Sequence, residues 1–146
     1  MQIRFKKLRD NAVLPRFGTD GAAAADLTAC LTEPVVLEPG GHVSIPTGLA
    51  VELPGPQYVA LILPRSGLGV KHGITLCNTV GVIDSDYRGE MVVTLVNGGQ
   101  QPFTIEPGFR IAQMLITTVF RYEAVEAEQL SDTARGAGGF GSTGIR

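Results

Sequence analysis

Turn chemistry recurs along this chain, and no segment carries a convincing long amphipathic helix. Glu38-Pro39-Gly40-Gly41, Pro46-Thr47-Gly48, Leu53-Pro54-Gly55-Pro56, Asn97-Gly98-Gly99 and Glu106-Pro107-Gly108 each place proline or glycine where the backbone must reverse. Between them lie short, mostly apolar runs: Ile3–Leu8, Leu27–Leu31, Val35–Leu37, His42–Ile45, Leu49–Leu53, Tyr58–Leu63, Ile74–Leu76, Val80–Ile83, Met91–Val96 and Phe103–Ile105. Short strands with turn signals at fairly regular spacing predict an all-β sandwich or barrel. The 19 glycines and 9 prolines among 146 residues serve such a turn-rich fold.

Several stretches bear on this expectation. Ala22–Ala25 has helical propensity, but it follows Thr19-Asp20-Gly21 and leads into an apolar run, so no helix is expected there. In Pro64–Gly73, Leu68, Val70 and Ile74 keep no sustained helical period, which predicts at most one helical turn. Asn97-Gly98-Gly99 reads as a hairpin signal. Arg110–Val119 is apolar on both alternations, at Ile111, Met114, Leu115, Ile116 and Val119. It is expected to be buried on both faces, which in so small a domain implies a subunit interface. Phe120–Val125 reads as its continuation. From Ala134 the composition changes, and half of Arg135–Gly144 is glycine. The chain therefore divides into a β core, residues 1–134, and a flexible Gly-rich C-terminal flap, residues 135–146.

Composition narrows the function classes. The formal net charge of -2 does not provide the basic patch of a nucleic-acid binder. Aromatic residues are 6% and tryptophan is absent, which argues against a single-strand stacking platform. Cys30 and Cys77 are too few for a disulfide scaffold or a zinc site, and are expected to be reduced. No long apolar run follows the basic N-terminus, so neither a signal peptide nor a membrane partner is expected, and a cytoplasmic location is. His42 and His72 form no metal or catalytic constellation.

Three stretches carry candidate chemistry. Asn78–Glu90 gathers an amide (Asn78), two carboxylates (Asp84, Asp86), an aromatic (Tyr87) and two glycines (Gly81, Gly89). Val80, Val82 and Ile83 give it strand character, and Asp84–Gly89 reads as the turn of a hairpin. Such a hairpin can read a small flat ligand, or its acids can simply face water. Pro64-Arg65-Ser66-Gly67-Leu68-Gly69 follows an apolar strand directly. Arginine and turn amides make it an anion site or an ordinary strand-to-turn junction. In the tail, Arg135, Ser142 and Thr143 suit a phosphate chain, and Phe140 suits stacking on a ring. Asp26 and the strand-interrupting Gln113 are polar positions that need partners. Together these suit a nucleotide phosphate as ligand and water as nucleophile.

Five motifs in order resemble those of the trimeric deoxyuridine triphosphatases (dUTPases): Ala24-Ala25-Asp26-Leu27; Pro64–Gly69; Asn78–Glu90; Gly108-Phe109-Arg110-Ile111-Ala112-Gln113; and Arg135–Gly144. The likeness covers essentially the full chain. It departs at Ala24, where the family usually has glycine. The resemblance implies a jelly-roll-like distorted β-barrel and a homotrimer, the tail of one chain closing a neighbour's active site. It implies hydrolysis of dUTP to dUMP and diphosphate, which limits uracil in DNA and supplies dUMP for dTMP synthesis.

Carried over residue by residue, Asp84 is the catalytic acid that prepares a water, and Asp86 is a turn residue. Mg²⁺ bridges the triphosphate and is held through water by Asp26. Arg65, Ser66, Gly67 and Gln113 hold phosphates. Asn78 and the backbone of Gly81, Val82 and Ile83 read uracil. Tyr87 packs on deoxyribose, Phe140 stacks on the base, and Arg135, Ser142 and Thr143 clamp the γ-phosphate. Two other readings fit the same fold: a dCTP deaminase relative, and a catalytically silent scaffold.

Overall fold

The computed structural model describes residues 1–139. The first strands are β1 (Arg4–Lys7), β2 (Arg16–Phe17), β3 (Ala25–Thr28), β4 (Val35–Leu37), β5 (His42–Pro46), β6 (Leu49–Glu52) and β7 (Tyr58–Leu63). Helix α1 (Ser66–His72) precedes β8 (Ile74–Leu76), β9 (Gly81–Ile83), β10 (Val92–Asn97), β11 (Phe103–Ile105) and β12 (Arg110–Thr118). These strands form four sheets, in the orders β1-β6, β5-β10-β8, β11-β4 and β2-β3-β12-β7-β9. Every ladder is antiparallel. The sheets wrap one core in which Leu27, Ile45, Leu49, Ile74, Met91, Leu95, Ile105 and Ile111 are fully buried. The architecture is jelly-roll-like, and its sheets do not join into a closed barrel.

The five-stranded sheet positions the site. Strand residues alternate between faces, so its inner face carries Ala25, Met114, Ile62 and Gly81 in one row. Its outer face carries Arg16, Asp26, Gln113 and Leu63 in one row, then Leu115, Leu61 and Val82 in the next. The inner residues Ala25, Ile62 and Met114 are buried. On the outer face Leu61 and Leu115 are half-buried and Val82 is exposed. The doubly apolar β12 thus buries one face in its own chain and leaves an apolar row on the other.

Some sequence expectations fail for local reasons. α1 runs seven residues, about two turns rather than one. Gly73 stops it in the left-handed region at φ 71°, its N–H donating back to Gly69 and Leu68 carbonyls. Asn97-Gly98-Gly99 does not join a hairpin: β10 pairs with β5 and β8, whereas β11 pairs with β4. The buried Asn97 side chain drives this turn, donating to the Leu37 and Gln101 carbonyls and accepting from Gly99 N–H. β9 and β10 share no ladder either, because β9 pairs with β7. Arg16–Phe17 forms a short strand outside the apolar runs that the sequence marks out. Phe120–Val125 is not a strand: it is exposed, and it has no partner strand among the described residues.

Candidate active site

Asp26 organises the first half of the site. It stands opposite Gln113 in the β3–β12 ladder, and Gln113 stands opposite Leu63 of β7. Arg65 Nε lies 2.8 Å from Asp26 Oδ1, and Arg110 Nη1 lies 3.1 Å from Oδ2. Arg65 Nη1 also donates to the Arg110 carbonyl at 3.2 Å. Gln113 Nε2 donates to the Pro64 carbonyl at 2.9 Å, which satisfies the amide that interrupts β12. Together these bonds hold the Pro64–Gly67 turn over the outer row of the sheet. Arg65 occupies the helix N-cap in extended conformation without a side-chain cap. The N–H groups of Ser66 and Gly67 therefore lack intrahelical partners, as the first helical residues do. A Cβ added at Gly67 would meet nothing within 4 Å. The space above this turn is open to an anion.

The second half lies around β8 and β9. Thr79 sits at φ 61°, an uncommon region for a β-branched residue. Its N–H donates to the Leu76 carbonyl, while the Asn78 carbonyl accepts from Val80 N–H at 2.7 Å and Thr79 Oγ1 at 2.6 Å. This tight turn closes one end of a cleft of about 340 Å³ lined by Cys77, Asn78, Gly81, Val82, Ile83 and Thr94, among others. The Asn78 side chain has no hydrogen-bond partner among the described residues. A Cβ at Gly81 would lie 3.1 Å from Ile62 Cβ and 3.6 Å from Asn78 Nδ2, so glycine keeps the cleft flat. β9 is an edge strand, and its outer edge offers unpaired backbone donors and acceptors.

Asp84 is exposed just beyond β9. It borders two further clefts, one shared with Tyr58, Asp86 and Arg121, the other with Tyr87 and Glu90. Asp86 borders only the first. The turn is closed by Tyr87 N–H to the Asp84 carbonyl, by Arg88 to the Ser85 and Tyr87 carbonyls, and by Tyr87 O–H to the Glu90 carbonyl at 3.0 Å. Arg135 is exposed and donates to the Gly138 carbonyl. Phe140, Ser142 and Thr143 lie outside the described residues.

Asp84 and Arg65 lie at opposite ends of β7. Ile83 stands opposite Ala60, so the chain reaches Asp84 near Val59, whereas Arg65 lies beyond the other end of β7. Six residues of extended chain separate positions 59 and 65, roughly 20 Å at strand rise. Among the described residues no three or more His, Cys, Asp or Glu side chains cluster as a metal cage. Asp26 is a single carboxylate with each oxygen on one guanidinium. Its remaining lone pairs fit a Mg²⁺ ion that keeps its water shell and takes other ligands from phosphate.

Sequence reasoning assigned no role to Arg110, Thr79 or Glu90. Arg110 stood in a quoted motif, and a basic residue opening an apolar strand was its signal. A β-branched residue in the left-handed region has no sequence signature, and neither do the contacts of the Glu90 carboxylate with Gly48 N–H and the Arg9 guanidinium.

The family model of the dUTPases matches residues 10–144. The chain belongs to the dUTPase family. It is 52% identical over 146 residues to the deoxyuridine 5'-triphosphate nucleotidohydrolase of Hahella chejuensis, covering 100% of this chain and 96% of that one. It is 54% identical over 144 residues to the enzyme of the same name from Neisseria gonorrhoeae, covering 99% and 95%. Among solved structures, the dUTPase of Staphylococcus bacteriophage 80alpha with dUPNHPP superposes with a TM-score of 0.90 at 28% identity, covering 99% of each chain. Family membership extends through the dUTPase core and into the glycine-rich tail.

Proposed function

We propose that the chain hydrolyses dUTP to dUMP and diphosphate, with Asp84 as general base. The observation that carries this is the junction at β9: an edge strand, with an Asn78 amide beside it that is unpaired among the described residues, runs directly into an exposed carboxylate. Uracil lies in the cleft, bonded by Asn78 and by the outer backbone edge of Gly81, Val82 and Ile83. Cytosine presents the opposite pattern at N3 and C4 and would leave those groups unpaired, a mismatch worth roughly four orders of magnitude. Tyr87 packs against deoxyribose and leaves no room for a 2′-hydroxyl.

Asp84 orients a water and takes its proton as the water oxygen bonds to the α-phosphorus. The bond from that phosphorus to the bridging oxygen breaks, and diphosphate leaves. Arg65, the Ser66 and Gly67 amides and Gln113 hold the phosphates. Arg135, Ser142 and Thr143 clamp the terminal phosphate while Phe140 covers the base. A Mg²⁺ ion, held by Asp26 through water, supplies charge neutralisation on the triphosphate when bound.

The active assembly is a homotrimer with shared sites. Support comes from the separation of Asp84 and Arg65 along β7, and from the apolar row Leu61, Leu115 and Val82 on the outer sheet face. Both cysteines are free thiols, in keeping with a reducing cytoplasm. In this reading the product dUMP feeds dTMP synthesis and less uracil enters DNA.

The test is a panel of deoxynucleoside triphosphates with Mg²⁺, followed for diphosphate and ammonia. Diphosphate from dUTP alone is the expected result. Ammonia from dCTP would make the chain a deaminase, and no turnover of any nucleotide would make it a scaffold.

A further inference from the structure

We infer that Glu90 is a positioning residue for sugar discrimination: clamped by Gly48 and Arg9, it fixes the carbonyl that holds the Tyr87 hydroxyl. The inference rests on the reading of Tyr87 as the group that excludes a 2′-hydroxyl.

Tyr87 is 43% exposed, so packing alone does not hold its ring. One hydrogen bond from its side chain does, donated to the Glu90 carbonyl at 3.0 Å. The ring also lies against Gly89, where any Cβ would collide with the phenol. The place of the ring therefore depends on the place of the Glu90 backbone.

That backbone is held from the far side. Glu90 Oε1 accepts from Gly48 N–H at 2.9 Å. The Arg9 guanidinium grips both carboxylate oxygens, Nε to Oε1 and Nη2 to Oε2, each at 3.2 Å. Gly48 is itself closely packed. It sits at φ 70°, and an added Cβ would lie 2.6 Å from Cys30 Sγ and 2.8 Å from Ala12 Cβ. The neighbouring residue is seated on the same turn: Met91 N–H donates to the Leu49 carbonyl, and the Met91 carbonyl accepts from Thr47 N–H and from Thr47 Oγ1 at 2.6 Å. Thr47 is fully buried. A closely packed, hydrogen-bonded turn at residues 47–49 thus reaches the sugar through Glu90 and then Tyr87. A carboxylate suits the post because it meets an amide N–H and a two-pronged guanidinium at once.

The experiment measures the ratio of kcat/KM for dUTP to that for UTP in the full-length wild type, Glu90→Ala, Glu90→Gln, Tyr87→Ala and the double variant Glu90→Ala/Tyr87→Ala. A ratio for one preparation does not depend on its folded fraction, so a loss of stability does not mimic the effect. Glu90→Ala is expected to lower the ratio about tenfold, the scale of a displaced pocket contact. Glu90→Gln keeps an acceptor for Gly48 and should restore most of it. The double variant should match Tyr87→Ala, since both changes act through one ring. A wild-type ratio in Glu90→Ala, alongside a lowered ratio in Tyr87→Ala, overturns the positioning role. An unchanged ratio in Tyr87→Ala removes the sugar reading on which the role depends.

Discussion

Arg65 Nε lies 2.8 Å from Asp26 Oδ1, so the turn that follows β7 is tied to β3, two strands away in the sheet. Both side chains are largely covered, 25% and 15% exposed, which protects the pair from solvent. Asp26→Asn keeps the shape but removes the charge between two guanidinium groups. Stability should fall by about 1 kcal/mol, between the values of surface and buried pairs. Urea unfolding measures that. The same variant should need more Mg²⁺ for half-maximal dUTP turnover, which a metal titration of the rate reads separately.

Asp84→Asn removes the base while leaving the cleft wall in place. The turnover number should drop by about two to four orders of magnitude. Calorimetric titration with dUPNHPP should still find binding within a few-fold of wild type. Unchanged turnover would take Asp84 out of the chemistry.

Removal of residues 135–146 should spare the fold. The core strands end at Thr118, and among the described residues no core side chain comes from beyond Met114 except the partly buried Ile116. The urea midpoint should correspond to a stability within about 0.5 kcal/mol of the full chain. Diphosphate release should fall by at least about tenfold, through lost substrate clamping. A truncated chain that fails to fold would make the tail structural.

Alkaline pH should weaken the fold through Cys30. Burial pushes its thiol above the ordinary value of 9.0, with Glu90 also raising it and Arg9 and Lys7 opposing. Its S–H donates to Asn11 Oδ1 at 2.9 Å, which favours the protonated form. The folded state then holds the proton longer than the unfolded chain does. The stabilising contribution is complete below pH 9.0 and is lost as pH rises from there through the folded value. Urea midpoints across that window should fall more steeply for wild type than for Cys30→Ala. At neutral pH a thiol reagent should label the exposed Cys77 first.

Most strands were legible because their apolar runs begin or end beside proline or glycine, as β4, β7, β8 and β11 do. The inner face of β12 was legible too, in Ile111 and Met114, whereas its outer row at Leu115 is only half-buried in this chain. What escaped depended on tertiary choice. Asn97-Gly98-Gly99 looks local, yet the buried Asn97 amide sends its flanking strands to different sheets. Phe120–Val125 has strand propensity, but a strand exists only by pairing. α1 exceeded its weak pattern because Gly73 supplied a left-handed stop. In the candidate site, the residue types were readable from the motifs, whereas the Arg110 contact to Asp26 and the Gly48 contact to Glu90 join positions far apart in sequence.

The distance between Asp84 and Arg65 along β7 has a genetic consequence under the shared-site proposal. A chain damaged at one of these positions still carries a sound copy of the other. Two inactive alleles, Asp84→Asn and Arg65→Ala, should therefore complement when co-expressed, because some mixed assemblies pair an intact acid from one parent with an intact phosphate turn from the other. Neither purified parent would predict that recovered activity, and dilution below the assembly concentration should abolish it without unfolding any chain.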